Sequence, residues 1–368
     1  MPEPGEVGAD LREGGVGREQ LLYPPGERVE QGEEVGGGPS RLHARANREG
    51  ERPISVAPAL PCGAVETLRH ALGVLGIEMT SATALAGDAS QRRFFRVHAP
   101  DGGSVVAALY QSGQEAQAER DHAVQRWGWA RGLPIPRPIG RHGLVVVSED
   151  LGELDLERAA AAAGEGVLPP ALAALAAFQR CGLDGLVTPK FDAALFRAEL
   201  AVFERHVTCA AAGGTPAVTA FLDDLARRLA SHPYRLTHRD FHLNNLFLQG
   251  GVVRAVDFQD MRGGPDTYDL ASLLRERGGA GLTADEPGWV ARAAGVLEWE
   301  PGWRQRYLEC AAQRGLKVVG TFLRLAAAGR PAYLAWLPAV GARASAALAE
   351  LGAPARLVAI AAAPDRGL

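Results

Sequence analysis

The segment His238-Arg239-Asp240-Phe241-His242-Leu243-Asn244-Asn245 is followed, after a short hairpin-like stretch, by Asp257-Phe258-Gln259-Asp260. One carboxylate, an amide five residues later and a second carboxylate form the set that phosphoryl transfer asks of a protein. Such a transfer needs a base to receive the acceptor hydroxyl's proton and a divalent cation to neutralise charge on the phosphate oxygens. Asp240 is the candidate base, and Asn245 and Asp257 are the candidate metal ligands. Magnesium takes few protein oxygens and fills its shell with water and substrate phosphates, so one amide and one carboxylate suffice without a cysteine or histidine cage.

The surrounding residues can position these groups. Residues 234–238 read as a short strand ending at the loop, 245–249 as a second strand and 252–256 as a third, with Gly250-Gly251 as the tight turn between the last two. Both candidate ligands then sit at strand ends, where rigid elements hold functional loops. Each residue alone has an ordinary structural use, as helix cap or turn former. The chemistry is carried by their order and spacing together.

The chain has 368 residues and a formal net charge of −4, enough length for two lobes and no basic excess of the kind nucleic acid attracts. Cys62, Cys181, Cys209 and Cys310 are scattered, which implies neither a disulfide framework nor a zinc site. The opening residues carry several acids and no apolar segment, and the alanine-rich residues 339–363 are broken by Arg343, Glu350 and Arg356. These features lead us to expect a cytoplasmic protein with no membrane partner, monomeric by default. Lysine occurs only at positions 190 and 317, so any phosphate contact supplied by the first 150 residues must come from another donor.

Residues 1–57, rich in Gly, Glu, Arg and Pro, are expected to form a disordered tail. Apolar residues at 64, 65, 68, 72 and 75 then make a helical stripe, and the period changes to that of strands at 94–97 and 105–110. A helix over 114–131 and a strand over 144–148 complete a small lobe, residues 58–150, that would take the nucleotide. Glu149-Asp150-Leu151-Gly152 is the expected hinge, its backbone placed for adenine, with Glu149 and Leu151 as nucleotide contacts. Residues 151–368 form a larger lobe, with helices expected over 155–164, 170–181, 192–210, 217–231 and from 268 onward. The fold class is therefore α+β, bilobal, an antiparallel small lobe on a mainly helical large one. In the small lobe, Gly87, Asp88 and Ser90 stand where a loop can fold over phosphates, and Arg92 or Arg93 is the candidate donor; strand alternation leaves open which points inward.

These residues resemble the aminoglycoside phosphotransferase-like kinases, and within them the bacterial kinases acting on the anomeric hydroxyl of N-acetylmuramate and N-acetylglucosamine. The likeness runs over about residues 62–350 and includes Gly87-Asp88-Ala89-Ser90, Arg92 to Arg96, the His238 and Asp257 segments, Gly264-Pro265, Tyr268-Asp269-Leu270, Ser272 to Arg275, and Gln313-Arg314 with Lys317 and Gly320. It implies a protein-kinase-like fold, ATP and Mg2+ as cofactors, and Asp240 as base with Asn245 and Asp257 on the metal. It also implies an acceptor side of His242, Asn244, Gln259, Asp260, Arg275 and Lys317. His238 and Asp269 are expected to be structural, Asp269 bracing the catalytic loop from a helix start. An aminoglycoside or choline-like acceptor, or a pseudokinase that binds nucleotide without turnover, are the competing readings. Glu115 and Glu119 read as a solvated face, Glu199 as surface or substrate-facing, Lys317 equally as a helix decoration or a partner for an acceptor carboxylate, and Trp289, Trp303 and Trp336 as core.

Overall fold

The computed structural model describes residues 62–85, 92–208, 215–276 and 281–364. The expected tail and the Gly87, Asp88 and Ser90 loop lie outside the described residues. The small lobe is a five-stranded antiparallel sheet in the order β1-β2-β3-β5-β4, built from β1 (Ser81–Ala84), β2 (Arg93–His98), β3 (Ser104–Leu109), β4 (Pro138–His142) and β5 (Val145–Glu149). Alternation along the strands sends Phe95, Val97, Ala107, Val145 and Val147 to one face, where α1 (Cys62–Val74) buries Ala64, Leu68 and Leu72 against them. Ala108, Tyr110 and Val146 face the other way, onto Ala118 of α2 (Glu115–Ala130). Burial on both faces is what lets so short a sheet hold its register.

Beyond the hinge the chain is mainly helical: α3 (Leu156–Ala163), α4 (Leu168–Arg180), α5 (Ala193–Phe203), α6 (Pro216–Ala230), α7 (Tyr268–Arg275), α8 (Glu286–Val296), α9 (Trp303–Ala327), α10 (Leu337–Glu350) and α11 (Ala355–Ala362). The 25-residue α9 is the axis of the lobe, with α5, α7 and α10 packed around it. Residues 156–180 are long and apolar enough, by length and composition, to cross a membrane. They form two helices joined by a short 3-10 turn, and Leu168, Leu172, Leu175 and Phe178 are buried in the large-lobe core.

Two small ribbons carry the candidate catalytic segment. β6 (Tyr234–Thr237) pairs with β9 (Arg262–Pro265), and β7 (Leu246–Gln249) pairs with β8 (Val252–Ala255). Gly250 and Gly251, at φ 57° and 81°, form the β7–β8 turn, a left-handed pair that side chains with a Cβ adopt only under strain. β9 was not expected from its Arg-Gly-Gly-Pro sequence. A Cβ on Gly264 would lie 2.7 Å from Phe191, so glycine is what allows the strand to enter the core there.

Candidate active site

Asp240 follows β6 and is held by a loop that its neighbours over-determine. Arg239 has φ 79°, a left-handed conformation costing about 1–3 kcal/mol in a residue with a long side chain. Three residues maintain it. The Asp269 carboxylate accepts the backbone N–H groups of His238 (2.6 Å) and Arg239 (2.9 Å), the Arg314 guanidinium donates to the Arg239 carbonyl, and Arg239 Nη2 donates to Glu199 Oε1 at 2.7 Å. Burial alone would raise the Asp240 carboxyl, but Lys317, Arg314 and Arg239 hold it down at about 2, with Arg314 Nη2 3.7 Å from its Oδ1. It is therefore an ionised acceptor of a proton at neutral pH. His238 lies edge-on to Phe178 (5.6 Å) and Phe241 (5.9 Å), and burial pushes its imidazole down to about 4, so it fills space as a neutral ring.

The bracing role of Asp269 has a direct check. Burial pushes its carboxyl up to about 7 against the pull of the two amides, and both of its oxygens are engaged. Asp269→Asn turns one acceptor into a donor facing another donor, a buried mismatch worth about 1–3 kcal/mol. A thermal melt is expected to show a fall of several degrees, roughly 3–8 °C, with a parallel loss of turnover.

Asn245 ends a 3-10 turn, Leu243–Asn245, and its Nδ2 donates to the Asp240 carbonyl at 3.0 Å, so Oδ1 is the atom that could hold a cation. Asp257, at φ 65°, is also left-handed, so two of the three non-glycine residues with positive φ among the described residues flank this site. Its Oδ1 accepts from Gln259 Nε2 at 2.8 Å and Arg92 Nη2 at 3.1 Å. Partial burial raises the Asp257 carboxyl; Arg92 pulls it back, while Asp240 and Asp260 are close enough to repel it. A carboxylate at Asp257 and an amide oxygen at Asn245 are donor types that fit a hard divalent cation completed by water and phosphate oxygens.

Arg92 is the inward arginine. Besides Asp257 it meets Asp121 Oδ2 at 3.2 Å and lies over the rings of Phe94 (5.5 Å) and Tyr110 (5.9 Å). Arg93 is exposed, on the Phe95 side of the sheet. Asp121 is buried on α2 and also accepts from the Tyr110 hydroxyl at 2.8 Å. Glu115 and Glu119 are exposed, as a solvated face requires, and it is Asp121 that joins helix to arginine. Asp121 shares a helical stripe with Ala118, Val124, Gln125 and Gly128, and a carboxylate on a buried stripe was the signal available in the sequence.

The residues expected on the acceptor side divide. His242 is buried beside Asn245, its Nε2 3.4 Å from the amide nitrogen, and Asp260 lies between Arg239 (3.7 Å) and Arg262 (3.6 Å). Asn244 donates to Glu157 of α3, and Gln259 braces Asp257. Lys317 is not a helix decoration: it is buried with Nζ 3.3 Å from Glu199 Oε1. Glu199 is likewise not a surface residue. It is buried and also accepts from Gln313 (2.7 Å), forming a network with Arg239 and Lys317 behind the catalytic loop. Arg275 donates to Glu286 at 2.7 Å and lines a cavity of about 190 Å³ between α7, α9 and α10, together with Glu276, Arg314 and Arg343 and the apolar Phe322 and Trp336. Trp336 is therefore only partly buried; Trp303 is too, while Trp289 is core.

A match to the phosphotransferase enzyme family spans residues 81–309, from the first strand of the small lobe past the catalytic segment to α9. The chain belongs to that family. The N-acetylmuramate/N-acetylglucosamine kinase of Pseudomonas aeruginosa is 31% identical over 278 residues, 69% of this chain and 79% of the relative. Among solved structures, a macrolide 2'-phosphotransferase type I superposes with a TM-score of 0.55 at 15% identity, over 80% of this chain and 99% of that one. A choline/ethanolamine kinase family protein from Mesorhizobium loti gives 0.54 at 19%, over 82% and 98%. At those identities the superpositions establish the fold alone, the bilobal kinase-like α+β architecture expected from the sequence.

In this phosphotransferase the hinge is clamped by a side chain that the sequence did not single out. Arg96 of β2 donates to Asp150 (2.6 Å), Glu153 (2.7 Å) and the Gly152 carbonyl (2.9 Å), while Ser104 donates to Asp150 at 2.8 Å. Glu149 takes Arg254 (2.6 Å) and the Arg137 amide (3.0 Å) on its carboxylate, so its side chain ties strand to hinge rather than facing a ligand. Leu151 is buried between them.

Proposed function

We propose that this phosphotransferase is a kinase that moves the γ-phosphoryl group of ATP, with Mg2+, to the anomeric hydroxyl of an N-acetylated amino sugar such as N-acetylmuramate or N-acetylglucosamine. The observation that carries the reading is the Asp240 carboxylate, held ionised by Lys317, Arg314 and Arg239. The substrate class rests on the 31% identity to a kinase named for those sugars.

In this reading the acceptor hydroxyl gives its proton to Asp240 as its oxygen bonds to the γ-phosphorus, and the bond to the bridging oxygen breaks to release ADP. Asn245 Oδ1 and the Asp257 carboxylate would hold the cation, which neutralises charge on the phosphate oxygens. Arg92, bound to Asp257 in the free protein, would turn part of its guanidinium to phosphate, with Asp121 keeping it in place. Gly87, Asp88 and Ser90 would cover the phosphates, and the hinge backbone at Glu149 and Leu151 would take the base. His242 and Asp260 would orient the acceptor.

A coupled ADP-release assay over N-acetylmuramate, N-acetylglucosamine, glucosamine, an aminoglycoside and choline tests the proposal, with phosphorus NMR to place the phosphate. Turnover of the N-acetylated sugars with phosphate on C1 is expected. Turnover confined to the cationic alcohols, or phosphate on another hydroxyl, would replace it.

A further inference from the structure

One face of β2 runs from the candidate metal ligand to the hinge. Strand alternation puts Phe94 and Arg96 opposite Phe95 and Val97, which α1 covers. Arg92, just before the strand, joins the first pair, its guanidinium 5.5 Å over the Phe94 ring. Register carries the same face across the sheet: Arg96 pairs with Val106 and Phe94 with Ala108, and these pair in turn with Ser148 and Val146. α2 packs on that face at Ala118, against Ala108 and Val146, and at Gln125, whose Nε2 donates to Ser148 Oγ at 2.8 Å. Phe94, Arg96 and Val106 lie nearer the β1 edge of the sheet and are half-buried.

Different carboxylates hold the two arginines of this face at its opposite ends. Arg92 reaches Asp257 and Asp121 at one end. At the other, Arg96 Nε and Nη2 fork onto the two oxygens of Asp150, at 2.6 Å and 3.2 Å, and Nη2 also donates to the Gly152 carbonyl at 2.9 Å. Ser104 Oγ and the Gly152 amide donate to the same carboxylate, at 2.8 Å and 2.9 Å. The Arg96 and Asp150 side chains are 14% and 7% exposed, so this pair is shielded from water, whereas the Glu153 side chain is 76% exposed and adds little. Positions 92 and 96 stand about 13 Å apart at a strand's rise of about 3.3 Å per residue. That is the scale of an extended nucleoside triphosphate, which would lay its phosphates against Arg92 and its base against the hinge.

We infer that Arg96 is a positioning residue for the nucleotide base: its fork on Asp150 and its bond to Gly152 fix the backbone of residues 149–152 against the roof that β2 forms. The assignment rests on the nucleotide reading of this site and adds the residue that sets its base end. Backbone N–H and C=O groups read a purine edge only when they stand at fixed positions. The linker they belong to contains Gly152 at φ 81°, a residue free to move unless held, and a strand-anchored guanidinium with three nitrogens engaged removes that freedom. Without the fork, the Asp150 carboxylate would keep Ser104 and the Gly152 amide but lose its charged partner.

The test uses the full-length protein with Arg96→Gln and Arg96→Lys, and with Asp150→Asn as a second break in the same clamp. Calorimetry with Mg2+ present measures binding of adenosine, ATP and inorganic tripolyphosphate. In Arg96→Gln and Asp150→Asn, affinity for adenosine and ATP is expected to fall about 3- to 10-fold, the scale of one lost hydrogen bond, with affinity for tripolyphosphate held within about 2-fold. Arg96→Lys is expected to recover part of the loss, because charge returns to Asp150 without the fork. Stoichiometry separates this pattern from a damaged fold: a partly unfolded protein binds fewer equivalents of every ligand at the folded protein's dissociation constant, so the comparison of constants still decides. Unaltered adenosine affinity in both clamp variants, or a parallel fall for tripolyphosphate, overturns the assignment. If the unsubstituted protein binds both probes, that failure is confined to Arg96 and the nucleotide reading stands; an unsubstituted protein that binds neither removes both.

Discussion

Asp240→Asn is expected to reduce turnover by about 10²- to 10⁴-fold while nucleotide still binds, because the change removes the proton acceptor and spares the cation ligands. Single-turnover ADP formation set against ATP binding by calorimetry measures the two separately. Near-normal turnover would remove Asp240 from the reaction. The same carboxylate makes a pH prediction. Its pKa in the folded protein is about 2, below the ordinary 3.8, so the fold binds fewer protons here than the unfolded chain does. The resulting stabilisation, about 2 kcal/mol, is present above the ordinary value and is lost as pH falls from 3.8 through about 2. An acid limb of activity between pH 5 and 7 would therefore come from another group, and Asp240→Asn should flatten the acid-denaturation curve only at its lowest end.

Arg92→Met is expected to cost about 10²- to 10³-fold in kcat/KM, the scale for losing one pre-positioned cation at a developing phosphate charge. Arg92 joins the helix acid Asp121 to the candidate metal ligand Asp257, at 3.2 Å and 3.1 Å. A role at phosphate and a merely structural role differ in what they change. Affinity for ATP and ADP should fall while affinity for adenosine holds, and Arg92→Lys should recover part of the loss because charge returns without the second branch of the fork. An equal loss for adenosine would mean that Arg92 only holds the lobes in place.

The residues of the candidate catalytic segment were legible because their geometry is local: strand, loop, turn and strand follow within residues 234–257, and Gly250-Gly251 fixes where the second ribbon reverses. The helices of the large lobe were legible for the same reason, through apolar periodicity. What remained hidden depends on pairs far apart in sequence. Asp121 and Arg92 meet across 29 residues, Arg92 and Asp257 across 165, and Glu199 gathers Arg239 from the loop after β6 and Gln313 and Lys317 from α9. No window of sequence contains those contacts. Asn244 and Gln259 show a subtler limit, since their positions beside the loop suggested an acceptor role while their amides turn to Glu157 and Asp257. β9 was hidden because Gly264 is required by the Phe191 ring and Gly263 by the Leu183 and Lys190 side chains beside it, a packing demand that outweighs strand propensity.

The scarcity of lysine, combined with the burial of one of the two, has a practical consequence. Lys317 is held as an ammonium against Glu199; burial alone would lower its pKa, but that carboxylate outweighs it and raises it, so the amine offers no lone pair to an acylating reagent. Lys190 is exposed. Amine-directed conjugation should therefore attach a fluorophore or a surface linker to the side chain of Lys190 alone, apart from any terminal amine, and tryptic digestion of the native protein should lean on arginine for nearly every cut.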